Sequence, residues 1–478
     1  MTLYTEKYRP QYHFSPKEKW MNDPNGMVYY NGEYHLFYQC HPNGTTWGPM
    51  HWGHAISKDL IHWEHMPIAL KPDKNGTIFS GSAVVDWHDT TGFFDGGSGL
   101  VAIFTHHLEC PETKHVSQTQ SLAYSKDNGR TWEKYQGNPV LANSNYRNFR
   151  DPKVFWYNKT NRWIMTLACG QSIQFYESTN LRNWEFLSEF GEGNGSHCGV
   201  WECPDLFQLP IVGTSESKWV LIVSIGDRLE NEEGSRAQYF IGKFDGKKFT
   251  NDNTKETILW LDHGRDNYAG VTWSDLPSED GRRIYIAWMN NWRYANEVPT
   301  DVWRGSMTLP RDLKLISTKT GIRVSQQVVK EIEQLRGNRH VWKDLRIEPK
   351  NNFRKNLDTD QLEISLTFEI GNENSLCLGL NEENGTPCAV IEFSDEELSV
   401  IRLGDSYFAK GKVTMNSITS LKIFVDCSSI EVFVNEGEES LTYLLFPHNK
   451  IKELVLGSRN VEAVIHSLDV YELNGIWK

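Results

Sequence analysis

Short apolar runs recur along the first two thirds of the chain. They read YHLFYQ (34–39), LVAIFTHH (100–107), RWIMTLAC (162–169), WVLIVSIG (219–226) and RIYIAWMN (283–290). Each is rich in aromatic and β-branched residues and predicts a buried strand. They return roughly every sixty residues, a period typical of repeat architectures. A second signal runs in step with the first. SKDLIHWEHMP (57–67), SKDNGRTWEKYQGNP (125–139) and STNLRNWEFLSEF (178–190) share a Ser, a polar turn and a Trp, and KFDGKKFTNDN (243–253) is a looser copy. Each reads as a hairpin turn followed by an outer strand. Helical periodicity is nearly absent over residues 1–320.

Five such units predict five four-stranded blades around a channel, a β-propeller spanning residues 1–324. A sandwich or solenoid is the alternative, and the long regular spacing favours the propeller. SQQVVKEIEQLRG (325–337) has apolar residues at helical spacing and ends in Gly, so a linker helix is expected over 325–339. Alternation returns over 340–478 in LEISLTFEI, CAVIEFS, LKIFVDCSSIEVFVNEG and VEAVIHSLDVYEL, which predicts a C-terminal antiparallel β-sandwich with a hairpin inside the third run. The fold class expected is therefore all-β: a five-bladed β-propeller followed by a β-sandwich.

Composition narrows the partners. The net charge of −13 argues against nucleic acid, which needs clustered Lys and Arg. No apolar run has transmembrane length, so no membrane partner is expected. No leader is read before the first polar residues, so the chain is cytoplasmic as written, or secreted if already trimmed. N-x-S/T sequons at Asn43, Asn75, Asn158, Asn194 and Asn384 weakly favour secretion. Eight Cys without a C-x-x-C pair, and HWGH and HWEH without partner carboxylates at ligand spacing, give no reason to expect a metal or cofactor. Eighteen Trp are unusual, and a minority lining a cleft would suit the flat faces of sugar rings.

Three acids stand in related settings: Asp23 in WMNDPNG, Asp151 in FRDPKVFW and Glu202 in WECPDLF. Each precedes a strand of a different unit, and each precedes a Pro directly or by one residue. Proline pushes its predecessor toward an extended conformation, which would hold the acid still. Singly, each is a turn or strand-cap carboxylate. In phase with the repeat, the three are expected to converge on the channel. That suits glycoside hydrolysis, which needs a proton donor and a second carboxylate that attacks the sugar or activates water. Like charges in one pocket raise the pKa of one of them.

Taken together and in order, QYHFSP (11–16), WMNDPNG, WGPMHWGHAISKDLIHWE (47–64), FSGSA (79–83), FRDP, GVWECPDLF (199–207) and VPTDVWRGSMTLPRDL (298–313) resemble glycoside hydrolase family 32, the invertases, inulinases and levanases. The resemblance covers the whole first domain, and the sandwich also fits. It implies that Asp23 is a nucleophile, Glu202 the acid and base, and Asp151 a transition-state stabiliser, in a retaining mechanism without a cofactor. It also implies that Asn22, Gln39, Trp47, Ser80 and Arg150 line a fructose site, that Trp20, Phe79 and Trp288 form its apolar wall, and that Tyr268 is retained from a family motif. The sequence departs from the pattern at Cys40, Cys198, Asn267 and Gly270, near the expected pocket. Cys203 follows Glu202 as in the family and could tune its neighbour's pKa.

The function expected is cleavage of β-fructofuranosyl bonds in sucrose and fructans such as levan and inulin, by an exo-fructanase. Its rivals are an invertase or sucrose-6-phosphate hydrolase acting on small sugars, an arabinan or xylan hydrolase, a fructosyltransferase, and a non-catalytic fructan-binding propeller. The partner is a small or polymeric fructoside.

Overall fold

The computed structural model describes residues 4–110, 112–143, 145–369, 375–394, 397–402, 408–412 and 418–477. The recurring apolar runs are the second strands of five antiparallel sheets that follow one another along the chain. Blade I contains Lys19–Tyr30, Glu33–His41, His51–Ser57 and Trp63–Leu70, and blade II contains Thr77–Asp86, Gly99–Glu109, Val116–Ser125 and Glu133–Lys134. Blade III contains Phe149–Tyr157, Arg162–Cys169, Ser172–Ser178 and Glu185–Phe190. Blade IV contains Trp201–Pro210, Ser217–Ile225, Arg236–Phe244 and Phe249–Asn251, and blade V contains Tyr268–Thr272, Ile284–Trp288, Arg311–Thr318 and Gly321–Val328. The first strand of each blade packs on the first strand of the next, and that of blade V packs back on Lys19–Tyr30. The ring is therefore closed around a central channel. The second strands are buried on both faces, which is why they read as unbroken apolar runs. The Ser-to-Trp segments, with Asp or Asn two residues after the Ser and Trp four or five residues further on, fall in the turn between the third and fourth strands. In blade I, for instance, Asp59 accepts the backbone N–H groups of Ile61 and His62.

The short strand Trp303–Arg304 pairs in parallel with Lys19–Trp20, so the innermost strand of blade I is bonded on both edges.

The expected linker helix is replaced by other structure. Ser325–Val328 completes the outer strand of blade V, pairing with Lys314 through Arg311. Only Lys330–Leu335 turns, as a 3-10 helix that buries Ile332 and Leu335, and strand structure resumes at Arg336. Two apolar anchors suffice for one turn. The cross-strand ladder of blade V outcompetes the local helical pattern before it.

The C-terminal region is a sandwich of two six-stranded antiparallel sheets. One runs, in spatial order, Arg336–Ile347, Ala463–Leu473, Leu362–Glu369, Ile418–Asp426, Ser429–Val434 and Glu439–Leu444. The other runs Phe353–Asn356, Ile451–Ser458, Ser375–Glu382, Pro387–Ser394, Glu397–Arg402 and Phe408–Lys412. Alternate residues such as Ile364, Leu378, Val432 and Leu456 meet in a dry core. The hairpin expected in LKIFVDCSSIEVFVNEG is present.

A buried polar cluster joins the two regions. His13 is sandwiched between Asp426 (Nδ1 to Oδ2, 2.8 Å) and Glu431 (Nε2 to Oε1, 2.8 Å). Arg311 reaches Glu431 at 2.5 Å and Asp262 at 3.1 Å. Asp262 in turn accepts the Thr442 backbone N–H and hydroxyl. All five charged side chains of the cluster are at most 2% exposed.

Candidate active site

Each innermost strand carries the same irregularity near its start. The ladder slips between Met21 and Pro24, Ile78 and Gly81, Arg150 and Lys153, Glu202 and Asp205, and Tyr268 and Val271. In every case two residues face one on the neighbouring strand, a β-bulge, which re-aims side chains and sharpens the local twist. Five bulges form a ring at one end of the channel. Asp23 is the second residue of its bulge, Asp151 the first of its own, and Glu202 stands just before the bulge of blade IV. The acids thus lie inside the innermost strands rather than ahead of them, and they converge from three adjacent positions rather than one equivalent position.

The extended conformation expected before proline does not hold for Asp151, whose φ is 63°, nor for Cys203 before Pro204, whose φ is 47°. Such left-handed backbone costs on the order of 1–3 kcal/mol per residue and persists only where the surroundings impose it. Here the Asp151 N–H donates to Thr105 Oγ1 (3.0 Å), and Asp151 Oδ2 accepts the Cys203 N–H (3.0 Å). The two strained residues therefore lock each other across blades III and IV.

The carboxylates are held by dense hydrogen bonding. Asp23 accepts from Asn22 Nδ2 (2.9 Å) and Ser80 Oγ (2.7 Å), and Asn22 is itself aimed by Trp20 Nε1 (2.7 Å). Arg150 clamps Glu202 Oε1 through Nη2 (2.6 Å) and Nε (3.2 Å), and the Tyr268 hydroxyl donates to Oε2. A Cβ at Gly226 would lie 3.2 Å from Glu202 Oε2, so glycine there keeps the space over that oxygen open. Cys203 Sγ lies 3.6 Å from both Asp23 Oδ2 and Asp151 Oδ2. Its thiol faces these two acids rather than Glu202, and burial pushes it well above the ordinary thiol range. It is therefore a proton-bearing bridge.

Electrostatically the cluster is short of positive charge. Burial raises the Asp23 pKa, partly offset by the Ser80 and Asn22 hydrogen bonds, with the charge on Glu202 adding to the rise. Burial also raises Asp151, to about 7, against the pull of Arg150 and with the help of Glu202 and Asp23. The upward shift expected for one crowded acid thus falls on Asp23 and Asp151.

A cavity of about 510 Å³ opens over these groups. Asn22, Asp23, Gln39, Trp47, Phe79, Ser80, Arg150, Asp151 and Glu202, all expected at the site, line it. Trp20, Tyr268 and Trp288 do not. They are at most 1% exposed and pack behind the wall. The aromatic face on the cavity is Trp292, which stacks on Trp20 (6.1 Å, 27°) and leans on Trp288 (4.8 Å). The motif pointed at the anchoring tryptophan and missed its neighbour four residues on. Gln118, Asn148, His107 and Asp227 also line the cavity, and Arg150 donates to Asn148 Oδ1 at 2.7 Å. Alternation along Val116–Ser125 could have marked Gln118 as channel-facing, whereas nothing local marks Asp227.

Two domain models match the chain in series: the glycosyl hydrolases family 32 N-terminal domain over residues 13–327, and the family 32 C-terminal domain over 331–472. The chain belongs to glycoside hydrolase family 32. It is similar to a levanase of Bacillus subtilis (strain 168), with 48% identity over 493 aligned positions, 100% of this chain and 72% of the relative. A levanase of Bacillus sp. (strain L7) is 39% identical across the whole chain, which spans 53% of that relative. The crystal structure of an exo-inulinase from Aspergillus awamori matches with a TM-score of 0.89 and 34% identity, over 99% of this chain and 100% of the other. A curated A. awamori relative, 35% identical, bears the name extracellular exo-inulinase.

The departures from the family 32 pattern lie outside the cavity lining. Cys40 and Asn267 are buried, and Cys198 bonds with Ser196. Asn267 and Gly270 are explained together. The Tyr285 hydroxyl donates to Asn267 Oδ1 (2.7 Å), and a Cβ at Gly270 would lie 2.0 Å from that same hydroxyl. Asn267 and Gly270 therefore belong to the packing beneath blade V rather than to the cavity. Among the described residues no group of three or more His, Cys, Asp or Glu is arranged to hold a metal ion.

Proposed function

We propose that the chain is a retaining exo-fructanase that removes terminal fructosyl units from levan- and inulin-type chains and also splits sucrose. Asp23 is the nucleophile. Its carboxylate is fixed by Asn22 and Ser80, so attack on the anomeric carbon costs little reorganisation. Glu202 delivers a proton to the leaving oxygen from Oε2, the oxygen facing the space kept open by Gly226, because Arg150 occupies Oε1. After the leaving group departs, the same carboxylate takes a proton from the water that releases fructose. Asp151 accepts from fructose hydroxyls, and the positive charge developing on the sugar favours its ionised form. Trp292, Phe79 and Trp47 supply apolar faces for the ring and the leaving group.

Exo action follows from the floor of the pocket. Lys153 spans the channel below the acids, donating to Thr272 O at 2.5 Å and pairing with Asp205 at 3.4 Å. With the channel closed below the acids, a terminal unit seated in the pocket places the bond beside it at the acids. A polymeric substrate does not enter a cell, so we place the enzyme outside it, in keeping with the extracellular relative.

The observation that carries this reading is the set of three carboxylates lining one cavity with a single arginine, which pairs with Glu202 and Asp151. Product analysis on sucrose, levan and inulin tests it. Fructose alone from the polymers, appearing first as the β-anomer, is expected. Oligosaccharides from the start would mean endo action, and no polymer cleavage would leave the small-sugar reading.

A further inference from the structure

The channel has a second mouth. A cavity of about 640 Å³ opens at the opposite ends of the innermost strands, around Val84–Trp87, Phe155–Tyr157, Leu206–Gln208 and Ser274–Asp275. It lies across the Lys153–Asp205 bridge from the acids, and its volume is in the range of small-ligand sites.

Its lining differs from ordinary core. Trp87 stands at the mouth, 51% exposed, and Trp156 and Trp219 are only partly buried. Its lining carries six charged groups whose signs cancel, Lys153, Lys159 and Arg283 against Asp86, Asp205 and Asp275. Two of these have hydrogen-bonding capacity left over. The Arg283 guanidinium donates one long bond, Nη1 to Trp273 O at 3.4 Å, and makes no other among the described residues. Asp205, 1% exposed, accepts from Thr272 through Oδ2, while its Oδ1 has no partner. Asp275 is satisfied, taking the Val85 N–H and Trp87 Nε1 at 2.9 Å each.

Spare donors on a guanidinium, no net charge and flanking indole faces call for a neutral, hydroxyl-rich ligand with apolar C–H faces, while the enclosed Asp205 Oδ1 is out of a ligand's reach. An anion would meet three carboxylates, and a cation three positive groups. We propose that this lower cavity is a second carbohydrate-binding site, which holds a fructosyl segment of a chain not being cut. The choice of fructan rests on the proposed activity, while the binding of a neutral sugar does not. By anchoring polymer to the protein, the site raises the local concentration of chain ends at the upper pocket.

The test uses the full chain and three probes: sucrose, short inulin-type oligosaccharides and levan. In an Asp23→Ala background, calorimetric titration with the oligosaccharides is expected to show two sites. Trp87→Ala added to it should weaken one by about 3- to 10-fold and leave the other. Arg283→Met, a second route to the same loss, should act likewise. In the otherwise native enzyme, Trp87→Ala should raise KM for levan several-fold while sucrose turnover stays within about twofold. A single oligosaccharide site, or Trp87→Ala and Arg283→Met variants whose affinity and levan KM match the parent, would overturn the proposal. If the native enzyme cleaved no fructoside yet oligosaccharide binding remained sensitive to Trp87, the activity reading would fall and this site would stand.

Discussion

Two buried clusters in this molecule have the same ingredients and opposite balance. The acid pocket holds Asp23, Asp151 and Glu202 around one arginine. The junction between propeller and sandwich holds Asp262, Asp426 and Glu431 around two cations, Arg311 and His13. At the junction, burial pushes Asp426 and Glu431 up, but His13, Arg311 and backbone N–H groups outweigh it and both end below the ordinary carboxylate range. In the pocket, burial wins for Asp23 and Asp151. One missing positive charge separates a fastening from a reactive site. The pocket keeps its acids uncomfortable, and in the proposed reaction a fructosyl cation-like transition state supplies the missing charge.

If that contrast is right, substitutions in the two clusters should have reversed consequences. The largest effect is expected at the pocket. Asp23→Asn should lower kcat on sucrose by on the order of 10⁴–10⁶-fold. Its urea midpoint should stay or rise, because a strained buried charge is removed. Glu202→Gln should lower kcat by about 10²–10⁴-fold, with a good leaving group such as an aryl fructoside restoring part of the loss. A folded, fully active Asp23→Asn would end the assignment.

Next come the fastenings. Glu431→Leu leaves Arg311 and His13 uncompensated and should cost about 3–5 kcal/mol in denaturant titration. The remaining folded protein should keep its kcat. An inactive but stable variant would dissolve the distinction between the clusters.

The junction also predicts a pH response. His13 is fully buried, which alone would lower its pKa, but Asp426 and Glu431 raise it to about 9. A raised histidine contributes stability that is complete below its unfolded value near 6.5 and is lost as pH rises toward 9. The loss should be on the order of 3 kcal/mol across that window, visible as a falling urea midpoint. His13→Gln should flatten the fall. Asp151 acts in the same direction at lower pH. Its folded pKa lies above its unfolded one, so it erodes stability between about pH 4 and 7, and Asp151→Asn should remove that slope.

The smallest expected effect is at the pocket's edge. Tyr268→Phe removes one donor to Glu202 Oε2 and should cost roughly 10- to 100-fold in kcat, with a shifted pH profile and little change in stability.

Much of the architecture was legible because unbroken apolar runs at a sixty-residue period, Ser-to-Trp turns and C-terminal alternation are local signals. The five blades, their hairpins and the three acids follow from them. What stayed hidden is non-local. A bulge exists only relative to the strand beside it, so the left-handed backbone at Asp151 and Cys203 could not be read from the Pro that follows. The predicted helix over 325–337 lost to strand pairing with Arg311–Lys314. The His13–Asp426 contact joins residues 413 apart. Trp20 and Trp288 were found by motif, yet only packing reveals that they brace Trp292.

The parallel strand Trp303–Arg304 beside Lys19–Trp20 has a consequence for biosynthesis. The strand bearing Asp23 has its second edge covered by segments made far later in the chain, Ser274 beside Val28 and Trp303–Arg304 beside Lys19–Trp20, the last some 280 residues on. At ribosomal speeds of about 5–20 residues per second, that delay is roughly 15–60 s. For that interval the growing chain carries Asp23, the proposed nucleophile, on a ring still open at one seam. The nascent protein is therefore catalytically silent until its fifth blade emerges, and a chain cut short before residue 304 should be inert.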